Sequence, residues 1–513
     1  MVPTVMNIPC LMQSLISRLS VICLILLSAC SSRPLLSVSA IAPDSLSEAT
    51  KREIVAASLQ SAKGEYHEAV SRYRKLLAAQ PSNAALHYAL SQAYIGLGVI
   101  DSARLYSEKS VILNPGNKYY LRLLAAISRQ MRDYSQTADL DRQLVALEPG
   151  RTEPLFALAF DYLAADQFEK ALAVFQDILK LDPKNETALS QALLIEIKLT
   201  NYKDAIVPLT ALLERSDGQE KLRLTLGELY LQTGQHDLAV KTFKEILQEN
   251  HRLLPAWLGL FEVSVKSGNK VAFLEDLHLF HKTSQISFEQ KIGVAQFFAA
   301  RSIRDSSFVE PAFVMIGEIK KRYPDKSRMM FRLRVVEGEL LFHAGKVKQA
   351  VLLLENAVHS KNAKKQKWLY LQANSILALC YDNLGYPEKS IALYESSLRL
   401  DPGNILITNN LAYVLASQGT ELLRAKKLAM KAVAAEPANA GYLDTLGWIL
   451  FRMGEYENAG EILEKAVGMD PGESEIFDHL SQVYEKLGNK LKAMEMRERA
   501  QKLKGTQPSA PVD

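Results

Sequence analysis

Residues 440–473 read AGYLDTLGWILFRMGEYENAGEILEKAVGMDPGE. Leu446 has the small residue Gly447 beside it, a combination that lets two antiparallel helices approach closely. Gly454 follows at the position of a tight turn, where glycine adopts positive φ at no steric cost. Pro471 lacks an N–H and restricts the residue before it, so it ends the second helix. The stretch therefore predicts one pair of antiparallel helices.

The same pattern recurs outward from this stretch with a period close to 34 residues. The proline that closes each unit recurs at Pro81, Pro115, Pro149, Pro183, Pro402, Pro437 and Pro471. Turn glycines are expected at Gly64, Gly98, Gly234, Gly268, Gly345, Gly385, Gly454 and Gly488. This period with its closing proline resembles the tetratricopeptide repeat family over roughly residues 50–507. The resemblance implies an all-α fold, a right-handed α-solenoid (superhelix) of stacked antiparallel helix pairs, because one pair cannot bury its apolar face alone.

The repeat pattern divides the chain into segments. We predict an N-terminal solenoid over 50–287, a C-terminal solenoid over 331–507 and a disordered tail over 508–513. Between the two solenoids, residues 288–330 keep a helical composition but lose the repeat signature, which favours a divergent helical segment. A continuous solenoid with poorly conforming repeats is the alternative.

The first 30 residues have the pattern of an export signal. Arg18 precedes an apolar run from Leu19 to Leu27, and Leu27-Ser28-Ala29-Cys30 then resembles the lipobox of bacterial lipoproteins. The resemblance implies a signal peptide over 1–29, acylation of Cys30, and a Ser-, Ala- and Pro-rich tether over 30–49. Ser31 favours the outer membrane, facing the periplasm. A plain signal peptide or a chance apolar start are the alternatives.

Composition and motifs argue against several classes of function. The 513 residues carry a net charge of +4 and are 48% hydrophobic, so neither nucleic-acid binding nor general disorder is indicated. No HExxH, Walker, GxGxxG or GxSxG pattern occurs, and His278 and His281 lack an evident third metal ligand. We therefore predict no catalytic residue, no metal and no cofactor.

One stretch is strongly basic. From Glu318 to Lys367 there are thirteen Lys and Arg residues against five acids. A patch for an anionic partner, such as lipid headgroups, an acidic polysaccharide or an acidic protein, is one interpretation, and a solvated surface is the favoured one. The candidate patch consists of Lys320, Lys321, Arg322, Arg328, Arg332, Arg334, Lys364, Lys365 and Lys367.

The last repeats supply a candidate groove. In the family, the first helix of each unit lines the concave side, where ligands lie. Asp444, Trp448 and Phe451 are spaced i, i+4 and i+7, so they share one helical face. The matching groove positions are Asn409, Tyr413, Asp444, Trp448, Phe451, Arg452, Asp478 and Gln482. Either this aromatic patch binds a peptide or a sugar ring, or Trp448 and Phe451 are buried between helices.

Three functions remain after this reading. A lipid anchor, a tether and a long solenoid predict a non-enzymatic periplasmic scaffold that binds envelope proteins or peptides, by analogy with similar lipoproteins of exopolysaccharide export. A polysaccharide-binding module that uses the basic stretch and the aromatic groove is the second hypothesis. An enzyme or an enzyme activator is the third.

Overall fold

The computed structural model describes residues 47–214, 220–324, 327–360 and 363–506. Within these ranges the chain forms 26 α-helices and two short 3₁₀ helices, and it contains no strand. The predicted all-α fold of paired helices is therefore confirmed. No helix of the described ranges is long and apolar enough to span a membrane.

The chain divides into two compact units, one ending at Glu249 and the other beginning at Asn250. Within the first unit, each helix packs against the next one along the chain. Its helices are α1 Glu48–Lys63, α2 Tyr66–Ala79, α3 Ala84–Gly96, α4 Ile100–Leu113, α5 Lys118–Gln130, α6 Tyr134–Leu147, α7 Thr152–Ala164, α8 Phe168–Leu181, α9 Glu186–Lys198, α10 Tyr202–Leu213, α11 Glu220–Gln232 and α12 His236–Glu249.

The second unit continues with the same alternation of first and second helices. Its helices are α13 Leu254–Lys266, α14 Lys270–Lys282, α15 Phe288–Ser302, α16 Val309–Arg322, α17 Ser327–His343, α18 Val347–Val358, α19 Lys367–Asn383, α20 Pro387–Leu400, α21 Ile405–Ser417, α22 Leu422–Ala435, α23 Ala440–Arg452, α24 Tyr456–Met469, α25 Ser474–Lys486 and α26 Lys490–Thr506. The 3₁₀ helices are Ser306–Phe308 and Ala363–Lys365.

Several predictions about the ends and boundaries of segments stay predictions. The signal peptide, Cys30, most of the tether and the 508–513 tail lie outside the described residues. The segment 288–330 contains α15, α16 and the start of α17, and α15 contacts both α16 and α17. The boundaries at 287 and 330 differ from the division at Glu249, and they remain sequence-based predictions.

Small residues on the first helices allow close contact with their second helices. A Cβ added at Gly227 would lie 2.5 Å from the Phe243 ring, and one added at Gly447 would lie 2.6 Å from Leu463 Cγ. Phe243 and Leu463 are fully buried. Because protein interiors are close-packed, neither the Phe243 ring nor the Leu463 side chain has space to move away from an added Cβ. The Leu-Gly pairs of the sequence therefore mark the points where two helices of one pair touch.

The turns inside the helix pairs require left-handed backbone. All eight predicted turn glycines have positive φ, between 68° and 83°. Three units place another residue at the equivalent turn, and Arg132, Asp166 and Thr200 have φ of 60°, 55° and 61° there. A β-branched residue is strained in this region, so Thr200 is the least favourable of the three.

We expect Thr200→Gly to stabilise the chain by about 0.5–1 kcal/mol, because relief of left-handed strain exceeds the entropy that glycine adds to the unfolded chain. The reverse change at the next turn, Gly234→Thr, should destabilise it by about 1–2 kcal/mol. Urea denaturation followed by circular dichroism measures both. A loss of stability in Thr200→Gly would contradict the assignment of strain to this turn.

Candidate functional site

Three first helices, α21, α23 and α25, form one surface in the C-terminal repeats. α23 contacts both α21 and α25. Asn404 and Asn439 cap the first two, with side chains that accept bonds from Ile407 N at 3.1 Å and Tyr442 N at 3.3 Å. Such caps satisfy backbone N–H groups that have no partner inside the helix. The sequence therefore fixes where each of these helices begins, and with it the register of the surface, which we call the α21–α23–α25 face.

Side chains bridge the three helices across this face. Tyr413 Oη on α21 donates to Glu475 Oε1 on α25 at 2.7 Å. Arg452 Nη1 at the end of α23 donates to the carbonyl oxygen of Ser417 at 2.9 Å. Burial, and then the charge of Glu475, raise the pKa of Tyr413 above its ordinary value. The phenol therefore stays protonated and serves as a hydrogen-bond donor.

Three stacked rings lie at the centre of the face. Trp448 stacks on His479 with centroids 4.3 Å apart and an interplanar angle of 18°. Phe451 stacks on the same indole at 5.1 Å and 17°, and the guanidinium carbon of Arg452 lies 5.7 Å from it. Stacked aromatic pairs and cation–π contacts each add stability beyond the area they bury. The rings are therefore held in one arrangement before any partner arrives.

A buried acid–base pair, Asp444 and His479, is joined to the stack through the His479 ring. His479 Nδ1 lies 2.9 Å from Asp444 Oδ1, and both residues are about 6% exposed. Burial raises the pKa of Asp444 above its ordinary range, although the bond to His479 opposes this. Burial lowers the pKa of His479, but the bond to Asp444 and the charges of Glu475 and Asp478 outweigh it, so the net shift is upward. The bond to Asp444 therefore favours the protonated form of the His479 ring.

Two polar atoms of the face have no hydrogen-bond partner among the described residues. They are Asn409 Oδ1, an acceptor, and Trp448 Nε1, a donor, and both atoms are buried. Asn409 is 7% exposed and lies one turn before Tyr413 on α21. A buried polar group without a partner is costly.

The structure therefore brings the predicted groove residues onto one face. Their side chains are less exposed to solvent than those of an open groove would be. Asn409 and Asp444 are buried, whereas Tyr413, Phe451, Arg452 and Asp478 are half-buried. Trp448 and Phe451 also pack against the hydrophobic core of the C-terminal repeats. The rings thus contact the core while part of their surface stays exposed, and ligand binding at this face remains a prediction.

The basic stretch does not form one free cationic surface. Lys320 donates to both Glu337 oxygens at 2.9 and 3.0 Å, and Arg322 bonds Glu318 at 3.2 Å. Arg332 and Lys367 lie 3.4 Å from Glu289 and 3.6 Å from Asp401. No ion pair within the described ranges involves Lys321, Arg334, Lys364 or Lys365. The Arg328 side chain lies outside what the structure describes. Neighbouring carboxylates thus neutralise a good part of the stretch.

The histidines at a spacing of three do not share a site. Arg322 Nη2 donates to His278 Nδ1 at 2.8 Å. His281 is buried, and burial together with the charge of Lys291 lowers its pKa to about 4. Across the described part of the chain, no three His, Cys, Asp or Glu side chains are grouped as metal ligands.

Sequence reasoning missed two residues of the face, Glu475 and His479. The repeat register contained a signal for both. His479 follows Asp444 by 35 residues, about one period, so it occupies nearly the same place on the next first helix. Glu475 lies 62 residues after Tyr413, close to two periods. Partners one or two periods apart in a solenoid are the ones that meet on a common face.

Profiles described as "Tetratricopeptide repeat" match residues 61–127, 197–269, 371–404 and 440–473. Cellulose synthase operon protein C of Pseudomonas fluorescens is 24% identical over 445 residues, which cover 80% of this chain and 33% of that protein. TPR repeat-containing protein PA4667 of Pseudomonas aeruginosa is 28% identical over 128 residues, 23% of this chain and 22% of that protein. The chain therefore spans a third or less of the length of these relatives.

Solved structures with a similar arrangement include the APC/C hetero-tetramer Cut9–Hcn1. Its TM-score is 0.37 with 14% identity, over 89% of this chain and 88% of that one. Naa15/Naa10 bound to HypK gives a TM-score of 0.36 with 16% identity, over 89% of this chain and 72% of that one. At these scores the two structures carry no argument about function.

The helix pairs, their turn glycines and their shared faces define an α-helical repeat protein of the kind that binds other proteins. The chain belongs to the tetratricopeptide repeat family, whose profile matches both of its units. Proteins of this family are generally non-catalytic, and their repeats act as scaffolds for protein–protein interaction.

The buried pair makes a prediction about pH. The pKa of His479 is higher in the folded chain than in the unfolded chain, where it is near 6.5. The protonated His479 therefore contributes fully to the free energy of unfolding below that unfolded-state pKa. This contribution is lost as pH rises through the folded-state pKa. Asp444→Asn should lower this pKa, as read from the histidine ring signals by NMR. His479→Gln should remove the corresponding fall in stability as pH rises above about 6.5.

His359→Gln is the matched control, because His359 is exposed and contacts only a backbone carbonyl, that of Glu355. A histidine pKa that stays unchanged in Asp444→Asn would refute the assignment.

Proposed function

We propose that this protein is a lipid-anchored scaffold of the bacterial cell envelope that holds an extended segment of a partner protein on the α21–α23–α25 face. Cys30 carries the anchor, and the repeats face the periplasm from the outer membrane. The tetratricopeptide repeats support the scaffold, and the lipobox-like sequence supports the anchor.

One observation carries the choice of a protein partner. The face combines a fixed aromatic stack, whose Trp448 and Phe451 rings are half-buried, with the polar groups of Tyr413 and Arg452. A polypeptide supplies apolar side chains for the rings and backbone amides for these polar groups. Rigid aromatic residues bind such segments with little loss of conformational entropy.

The charge of the face argues against a polyanionic ligand. Asp444 is paired with His479, Glu475 and Asp478 add two further acids near the rings, and the Arg452 guanidinium lies over Trp448. An acidic polysaccharide would meet like charges there, which costs affinity. The basic stretch, the other part of the polysaccharide hypothesis, is partly paired with carboxylates, at Lys320, Arg322, Arg332 and Lys367. A neutral or basic protein segment is the ligand that fits.

The cellular setting is proposed from similarity. Cellulose synthase operon protein C matches over most of this chain, and its name refers to synthesis of an exopolysaccharide. We propose an exopolysaccharide export or assembly complex as the setting, in which this chain contacts protein components and not the polymer.

A photocrosslinking amino acid at Gln482, a half-buried position on α25, tests the partner in living cells. We expect a specific protein adduct at this position and none at Glu461, which is exposed on the second helix α24. Glu475→Lys should reduce the adduct about tenfold, because it reverses a charge on the face. Glu461→Lys makes the same charge change elsewhere and should leave the adduct intact.

Two outcomes would overturn this proposal. One is an equal adduct yield from both positions. The other is the absence of protein adducts together with polysaccharide that co-purifies in low salt and is released in high salt.

The anchor has its own test. The full chain should incorporate a palmitate analogue and sediment with outer membranes, and Cys30→Ser should abolish both because the acylated thiol is gone. Cys23→Ser is the matched control, since Cys23 lies within the predicted signal peptide. Labelling that persists in Cys30→Ser would contradict the lipoprotein assignment while leaving the binding face unaffected.

A further inference from the structure

A cavity of about 470 Å³ lies in the N-terminal unit, between the second helices α2 and α4. No residue of the α21–α23–α25 face lines this cavity, and most of the lining residues lie on second helices. Its volume falls within the range of sites for small ligands. The walls come from α2, the turn that follows it, α3 and α4.

Two cations at this cavity have no carboxylate partner among the described residues. Arg74 comes from α2 and Lys109 from α4. Tyr106 lies close to both: it raises the pKa of Arg74, and Lys109 Nζ lies 5.4 Å from the Tyr106 ring centroid.

Other arginines of the same two helices are neutralised. Arg72 pairs with Glu53 at 2.7 Å, and Arg104 pairs with Glu108 at 2.9 Å. Arg74 and Lys109 therefore keep their charge at the cavity, and this charge favours an anion there.

The rest of the wall is apolar. Leu77 is buried, whereas Ile112 and Leu113 are 77% and 41% exposed. Ala78 and Pro81 complete this side. Exposed aliphatic side chains beside unpaired cations favour a ligand that is both anionic and apolar, because such a ligand removes the aliphatic surface from water.

His87 adds a hydrogen-bonding group to the wall. Its ring lies beside Tyr106 at 5.9 Å and is 6% exposed. Nε2 donates to the Pro81 carbonyl oxygen at 2.8 Å, and a carbonyl only accepts, so the hydrogen sits on Nε2. In the neutral ring, Nδ1 is then an acceptor, and it is buried without a partner among the described residues.

The cavity wall is also pre-formed. Tyr106 stacks on Tyr94 with centroids 5.5 Å apart and an interplanar angle of 9°. Tyr106 is thus held between Tyr94, His87 and the two cations. A site whose groups are fixed in advance loses less entropy when its ligand binds.

We propose that this cavity binds a carboxylate joined to a compact apolar group. Arg74 and Lys109 bind the carboxylate, and Leu77, Ile112 and Leu113 cover the apolar group. The C-terminal residue of an apolar peptide and a short fatty acid both present this chemistry. The site goes beyond the scaffold function, and neither its presence nor its absence affects the α21–α23–α25 face.

Saturation-transfer NMR on the full chain in a nonionic detergent tests the site with four probes. N-acetyl-leucine and hexanoate carry the carboxylate, and N-acetyl-leucinamide and hexanamide are the neutral counterparts of the same shape. We expect at least one acid to bind about tenfold more tightly than its amide. Binding of N-acetyl-leucine alone identifies a peptide end, and binding of hexanoate alone identifies a fatty acid.

Variants connect the binding to this cavity. Arg74→Gln combined with Lys109→Gln should weaken the acid about tenfold or more, and Ile112→Ser should weaken acid and amide alike. Lys75→Gln is the matched control, because Lys75 is exposed on α2 and does not line the cavity. All four residues are exposed, and a circular dichroism spectrum verifies the fold of each variant.

Three results would overturn the proposal. The first is equal affinity for an acid and its amide, and the second is unchanged binding in the Arg74/Lys109 variant. The third is the absence of binding by either acid at concentrations up to about 10 mM.

Discussion

The close contact between the two helices of a pair sets the geometry of this protein. At Gly447 a single added carbon atom would lie 2.6 Å from Leu463, so the two backbones approach as far as the side chain of the second helix permits. The turn that reverses the chain needs left-handed backbone, which Gly454 supplies at a φ of 83°. Both requirements recur with the repeat, and therefore successive first helices lie side by side at a regular spacing.

That regular spacing explains why a binding surface forms where it does. Second helices fill the space behind each first helix, so the residues left on a first-helix face are partly enclosed by their neighbours. Asp444 is consequently buried although it is charged, and it needs a partner from the next repeat, His479. Tyr413 reaches Glu475 two repeats away for the same reason. The polar network of the face is thus a consequence of stacking and not a separate motif.

The repeat period made the helix pairs, the turn glycines and the shared face of Asp444, Trp448 and Phe451 predictable from the sequence. Contacts between units were harder to foresee, because they depend on rotamers and on helix–helix angles. Arg129 shows this: it bonds Asp161 at 2.7 Å and Asp141 at 2.9 Å, on two further helices. The pairing of Lys320 with Glu337 likewise turned a basic run of sequence into a partly neutral surface. Charge counted along the chain therefore overstates charge available to a ligand.

A net charge of +4 over 513 residues conceals two local environments of opposite sign. On the α21–α23–α25 face, Glu475 and Asp478 lie beside an aromatic stack, which supports the proposal that this face binds a neutral or basic segment in preference to a polyanion. At the N-terminal cavity, Arg74 and Lys109 stand beside exposed aliphatic side chains, so the preferred ligand has one negative charge and an apolar body. The two proposed ligands differ in charge, so on these proposals the two sites would not compete for one ligand. A repeat protein gains this property from its construction, since each group of neighbouring helices sets its own surface chemistry while the backbone pattern stays the same.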